Sequence, residues 1–298
     1  MNIFLFLILI LFWGCSFLAI KYVLEIFPPF YSAFLRTFLT FCFISIYILF
    51  RKIPLQDQSF ETFIKWSVLG LVAFTIPWAA LFWGEQYIPP ALVGMLNSTV
   101  PIFALVISFF VIPNERISPL GVFGLVLGFF GMGAIFLPTL KVGMFKDMVF
   151  WGMIAILIMS LAYSVNTVWA RKWGRKIHLV WAIWIQTLSG SLTLLVLAIL
   201  MGEVFPSFDT MGSSPKSVWG MLYLAFFSTA LAIAFYYHLI DQWGAVKASS
   251  VNYGIPFVAI IVDFLVFGHL PSLAEWVGVA FIMLGLVLLH KSKMVITR

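Results

Sequence analysis

The feature that most constrains this chain is a succession of long apolar runs. Ten stretches, 3–21, 28–50, 64–84, 89–111, 119–138, 149–170, 179–201, 217–240, 244–267 and 273–290, carry almost no charge. Each is near the roughly 20 residues an α-helix needs to cross a hydrocarbon layer. Turn or polar chemistry separates them: Pro28-Pro29, Arg51–Glu61, Pro89-Pro90, Asn114–Ser118, Lys141–Asp147, Arg171–His178, Phe205–Lys216, Asp241–Gly244 and Gly268–Ser272. No connection is long enough for a soluble domain, and 202–216, the longest, reads as a flexible loop. Hydrophobic residues make up 63% of the chain and charged ones 9%, against about a quarter charged in an ordinary soluble domain. A water-surrounded core of this length cannot hide so much apolar surface. The expected fold is therefore all-α and membrane-integral. Soluble enzyme, nucleic-acid binder and disordered tail are excluded as readings of the whole chain.

The basic residues set the expected orientation. With the N-terminus inside, the inner loops and tail hold Arg51, Lys52, Lys65, Arg116, Arg171, Lys172, Arg175, Lys176, Lys247, Lys291, Lys293 and Arg298. The outer loops hold Lys21, Lys141, Lys146 and Lys216, and Arg36 lies within a span. Twelve against four places both termini in the cytoplasm. The net charge of +6 is thus a mark of topology, and the run Arg171–Lys176 is no nucleic-acid patch. The first span lacks a basic leader and a small-residue cleavage site, and bulky Trp13 argues against a lipoprotein box at Cys15, so it is read as a spanning helix. Cys15 and Cys42 read as small buried hydrophobes.

The chain also repeats itself. Offset by 150, Arg36 falls on Gln186 and Thr37 on Thr187. Offset by 155, Asn97 falls on Asn252 and Pro101 on Pro256. Offset by 154, Gly124 and Gly131 fall on Gly278 and Gly285. The common order and near-constant spacing indicate a five-helix duplication, with residues 1–140 as the first repeat, 141–148 as the connection and 149–298 as the second. Five is odd, so the second copy inserts upside down. Inverted repeats of this kind place a substrate site near the midplane, between halves that exchange conformations.

These residues resemble the drug/metabolite transporter superfamily, in its ten-helix EamA-type branch, over about residues 3 to 290. The resemblance rests on Trp13-Gly14, Phe17, Lys21, Arg36, Pro101, Glu115-Arg116-Ile117-Ser118 and the glycines of the fifth span, with Pro256, Gly278 and Gly285 in the second half. One departure is His269 after Gly268, where the family usually has Glu. The resemblance implies a substrate cavity lined by spans 1, 3, 4, 6, 8 and 9, and export of small metabolites.

Polar groups at membrane depth are costly and therefore functional candidates. In span 4, Gly94, Asn97, Pro101, Ala104 and Ser108 share one helical face, and in span 9 so do Ser249, Asn252, Pro256 and Asp263. Mid-helix prolines would free carbonyls and kink both helices. Trp13, Ser16 and Phe17 lie close in span 1, Trp78 and Phe82 share a face in span 3, Tyr163, Asn166 and Thr167 stand in span 6, and Tyr236 and Tyr237 in span 8. The expected substrate cavity is Trp13, Ser16, Phe17, Trp78, Phe82, Asn97, Pro101, Tyr163, Asn166, Tyr237, Asn252 and Pro256. The gating or coupling candidates are Arg36, Glu85 and Asp263, all in the outer third. Arg36 is expected to pair with one of the acids when the outer side is closed, and Asp263 is also a candidate for proton coupling.

These residues offer no catalytic constellation, metal site, cofactor motif or ATPase motif. The reading is an inner-membrane secondary transporter with a small-molecule substrate and the lipid bilayer as partners. Amino acids or similar amphiphilic metabolites are the first substrate guess, with export as the direction and protons as a candidate coupling ion. Uptake of a nucleoside-like or S-adenosyl metabolite is the rival within transport, and a membrane-embedded enzyme or lipid-moving protein the rival outside it. Monomer and homodimer stay open. The orientation has a direct check. A fluorescent protein that folds only in the cytoplasm is expected to light up at either terminus and stay dark when inserted in 205–214.

Overall fold

The structure is a computed structural model that describes residues 2–54, 59–111, 115–116, 118–136, 144–173, 177–291 and 295–296. Lys141, Arg175, Lys176, Lys293 and Arg298, and the start of the 141–148 connection, lie outside the described residues. Ten helical segments follow in order: α1 Asn2–Val23, α2 Pro29–Arg51, α3 Phe60–Gly84, α4 Pro90–Val111, α5 Pro119–Phe136, α6 Met148–Trp173, α7 Leu179–Leu200, α8 Pro215–Trp243, α9 over 245–267 and α10 Leu273–Lys291. Seven are long and apolar enough to cross a membrane, and the apolar cores of α5, α9 and α10 are shorter. Their outward faces are bare hydrocarbon: Phe50, Phe110 and Leu200 are among the exposed large side chains. Only a helix satisfies all its own backbone polar groups in lipid, which is why apolar runs of this length fold this way. Glu115–Arg116 pairs antiparallel with Val295–Ile296. That short ladder puts the α4–α5 connection and the C-terminal tail on one face, here the terminal face.

The segment ends follow local chemistry. Pro28 and Pro89 stand extended just before helices that begin at Pro29 and Pro90, where a missing N–H costs nothing. Ser272 and Glu275 cap α10 reciprocally through Ser272 N to Glu275 Oε2 (2.6 Å) and Glu275 N to Ser272 Oγ (3.3 Å). The 202–216 connection, read as flexible, has a helical turn at Phe208–Ser213. It is also tied down. The Glu203 carboxylate caps α2 by accepting from Phe30 N (3.0 Å) and Tyr31 N (2.7 Å), and Lys216 pairs with Glu25 at 2.7 Å. Cys15 and Cys42 are free and half-buried rather than buried.

Two rigid contacts show the inverted duplication. A Cβ on Gly131 would strike the Gly278 carbonyl, one on Gly278 the Gly131 carbonyl, and one on Gly285 the Gly124 carbonyl. So α5 and α10 cross antiparallel with backbones touching, which only glycine permits. The offset of 154 that carries Gly124 to Gly278 carries Gly131 to Gly285, so the two contacts are images of each other. The second contact joins α4 to α9: Asn97 Nδ2 donates to Asn252 Oδ1 at 3.0 Å. These residues are equivalent under the offset of 155, so the bond lies on the pseudo-two-fold axis.

The helices break in matched places. π-helical turns occupy Leu71–Thr75 in α3 and Phe226–Leu231 in α8, again 155 positions apart. In α4 the helix stops at Asn97 and restarts at Val100, and in α9 a 3-10 turn, Ser250–Tyr253, precedes a restart at Ile255. Pro101 and Pro256 are each the second residue of the restarted helix. They tolerate that position, so the kinked continuous helices expected from their mid-run placement do not form. Carbonyls around the α4 turn are met from α6, with Ser164 Oγ donating to Val100 O (2.8 Å) and Ser160 Oγ to Leu96 O (3.5 Å).

The α5–α10 contact has a clear test. Gly131→Val and Gly278→Val are expected to lower thermal stability by about 1–3 kcal/mol, the usual cost of overpacking. Gly133→Val, where an added Cβ meets nothing within 4 Å, is expected to be neutral. Detergent-solubilised protein followed by tryptophan fluorescence on heating provides the measurement.

Candidate functional site

Between the halves, at the level of the helix breaks, lies a cavity with about 740 Å³ of space between atoms, open solvent included. Segments α1, α2, α3, α4, α6, α8 and α9 all contribute side chains. Ten expected residues meet there: Trp13, Ser16, Phe17, Arg36, Trp78, Asn97, Tyr163, Asn166, Tyr237 and Asn252. Phe82, Pro101 and Pro256 do not line it. Phe82 is fully buried in the core beside it, and both prolines are buried in the helix restarts described above.

Arg36 shapes the site most. It is 3% exposed and reaches across to the π turn of α8. Its Nε donates to Thr229 Oγ1 (2.9 Å), and its Nη2 to Ser228 Oγ (3.1 Å) and Ser228 O (3.4 Å). Its guanidinium carbon sits 4.2 Å from the Trp78 ring centroid, a cation–π contact. The π turn widens the helical repeat and exposes Ser228 O, which also accepts from Trp13 Nε1 at 3.0 Å. Trp78 Nε1 in turn donates to the Tyr163 hydroxyl. The expected pairing of Arg36 with an acid is absent. Among the described residues no ion pair includes it, because the guanidinium is drawn to the neutral acceptors of α8 instead.

Toward the terminal face the wall is a closed polar ring. Asn166 Nδ2 donates to Tyr237 OH (3.2 Å), Gln186 Nε2 to Asn166 Oδ1 (3.2 Å) and Tyr237 OH to Gln186 Oε1 (2.7 Å). Tyr236 bonds Thr167 at 3.0 Å and packs edge-on against Trp13, with centroids 5.1 Å apart. Beyond Tyr237 a second hollow, walled by Trp66, Arg171, His238 and Asp241 among others, continues to the terminal face.

The opposite face is packed shut. Val23, Phe27, Phe82 and Ile88 are all buried there. Glu85 and Asp263, both fully buried, belong to this plug and not to the cavity wall. Lys21 Nζ donates to the Glu85 backbone carbonyl. His269 Nδ1 lies 3.4 Å from Asp263 Oδ1, at ion-pair distance but without hydrogen-bond geometry. Glu85 is within electrostatic range of Lys21, Arg36 and Asp263.

The sequence reading missed Phe74, Ser228 and Thr229. The signal for the last two was a Ser-Thr pair inside the apolar run 226–231, opposite an arginine that needed partners.

The EamA-like transporter family model matches residues 1–137 and again 150–290, once for each five-helix half. The chain belongs to the EamA-like transporter family. An uncharacterized transporter of Bacillus subtilis (strain 168), YoaV, is 24% identical over 257 residues, covering 86% of this chain and 85% of that one. An uncharacterized inner membrane transporter of Escherichia coli (strain K12), YedA, is 24% identical over 285 residues, with 94% and 88% covered. A solved crystal structure shares the fold with a TM-score of 0.70, at 19% identity and covering 96% of this chain and 95% of its own. The EamA-like chain is thus a multi-pass membrane transporter of ten helices in two inverted repeats.

The axial bond of this transporter can be measured. Asn97→Ala and Asn252→Ala are each expected to destabilise the protein, and the double variant by less than their sum. The coupling should be about 0.5–1.5 kcal/mol, the usual net worth of such a bond. Strictly additive losses in denaturant unfolding would show that the bond contributes nothing.

Proposed function

We propose that the chain is a secondary transporter of the cell inner membrane, with both termini cytoplasmic, that exports a small amphiphilic metabolite by alternating access. Amino acids with bulky or aromatic side chains are the first candidates. The observation that carries this reading is the cavity itself: central, aromatic with a few convergent polar groups, parted from a hollow at the terminal face by the Asn166–Gln186–Tyr237 ring and packed shut on the opposite side. With the termini cytoplasmic, opening of that ring would load the cavity from the cell. The substrate residues are Trp13, Ser16, Phe17, Trp78, Asn97, Tyr163, Asn166, Tyr237 and Asn252.

The plug of Glu85, Asp263 and Lys21, with Arg36 one layer below, is the outer gate. Neither carboxylate makes a hydrogen bond within the protein among the described residues. Opening to the outside would hydrate both, and protonation on one side of the cycle would link transport to a pH gradient. His269 stands beside Asp263 where the family resemblance implies a Glu, so this gate carries an imidazole in place of a third acid.

Reconstitution into liposomes tests the reading. Flux of amino acids from a small metabolite panel is expected, accelerated by an imposed pH gradient, and Asp263→Asn is expected to abolish the pH acceleration. Absence of any solute flux together with lipid scrambling would overturn the transporter mechanism proposed here. An unchanged pH response in Asp263→Asn would remove the coupling role.

A further inference from the structure

Arg36 carries a charge that no ion pair meets among the described residues, although Glu85 lies within electrostatic range of it. A guanidinium stays ionised even where burial is severe. Here it is held at membrane depth by one hydroxyl from threonine, one serine and an indole face, all neutral. Its Nη1 is buried and makes no hydrogen bond. An ion in such surroundings is expensive unless a counter-charge arrives. The same cavity holds one unmet acceptor, Asn97 Oδ1, whose partner amide Nδ2 is committed to Asn252. Both atoms are covered by neighbouring side chains in this state, so a ligand would take the place of that cover.

The duplication supplies an internal control. The position equivalent to Arg36 is Gln186 in α7. It is equally buried, neutral, and bonded through both Oε1 and Nε2. The five-helix architecture therefore does not need a cation at this place. The charge belongs to one half only, beside the cavity.

We infer that Arg36 is the anion-binding residue of the transported solute, taking a carboxylate on Nη1 while Asn97 Oδ1 accepts an N–H of the same molecule. This rests on the transporter reading above. One guanidinium balances one negative charge, which fits a carboxylate and leaves a doubly charged phosphate uncompensated. The apolar and aromatic remainder, Phe17, Phe74, Trp78 and Met159, takes the body of the solute. The class is thus carboxylates bearing an N–H and an apolar or aromatic group. Organic cations without an anionic group are repelled by the fixed charge.

Paired probes test this in proteoliposomes loaded with the unmodified full chain: tryptophan against tryptophanamide, phenylalanine against phenylalaninamide, and phenylalanine against 3-phenylpropionate. Flux of the acids is expected to exceed that of the amides by at least tenfold. Arg36→Gln is expected to erase the difference by lowering acid flux, and Arg36→Lys to restore part of it. Asn97→Ala is expected to lower phenylalanine flux severalfold more than that of 3-phenylpropionate, which lacks the N–H. Equal flux of acids and amides in the unmodified protein would overturn the anion site and leave the transporter reading intact. If Arg36→Gln slowed both members of each pair alike, in protein whose melting temperature is unchanged, Arg36 would be a gating or packing residue instead. No flux of any member of any pair would overturn the amino-acid reading and the anion site together.

Discussion

A backbone in hydrocarbon must satisfy every N–H and C=O from within the protein. All else in this molecule depends on that requirement. It forces the helical segments, and it permits irregular backbone only where neighbouring protein supplies partners. The interruptions obey this. The π turn of α8 has its spare carbonyl taken by Trp13 and Arg36, and the α4 turn is served by serines of α6. Because breaks survive only in the interior, they gather around one space, and that space becomes the cavity. The site is in this sense a by-product of where a helix can stop without facing lipid.

The second organising fact is that most of the interior is built twice. The glycine contacts of α5 and α10, the π turns and the two asparagines all come in related positions. Where the halves differ, the difference is chemical and local. Position 36 is a cation reaching for α8, while position 186 is an amide closed into a ring with Asn166 and Tyr237. The two halves share a scaffold and divide the polar work.

Much of this was legible in the sequence. Apolar runs and Pro-Pro pairs gave segment ends within a few residues, because lipid thickness and the missing proline N–H act locally. The offsets of 150 to 155 exposed the duplication. What stayed hidden was non-local or geometric. Periodicity treats Pro101 as mid-helix, and nothing in spacing reveals that the helix stops four residues earlier, at Asn97. Arg36 was placed at the right depth, yet its partners lie 192 and 193 residues away, and an acid looked the more natural neighbour than a serine and a threonine. Phe82 shares a helical face with Trp78 but falls one layer outside the cavity, a distinction of packing that a helical wheel does not draw. The 202–216 loop looked loose because its anchors, Phe30 N and Tyr31 N, are backbone groups with no mark in sequence.

The pairing of Asn97 with Asn252 maps onto itself under the pseudo-symmetry with donor and acceptor exchanged, so swapping the conformations of the halves can keep the two amides together, like the pin of a pair of scissors. The contacts of Arg36 have no image. A conformational swap would set Gln186 where Arg36 now stands, and a neutral amide cannot reproduce an ionic grip on the opposing helix. The two ends of the swing are therefore unequal in energy, and the empty protein has a preferred side on which to wait.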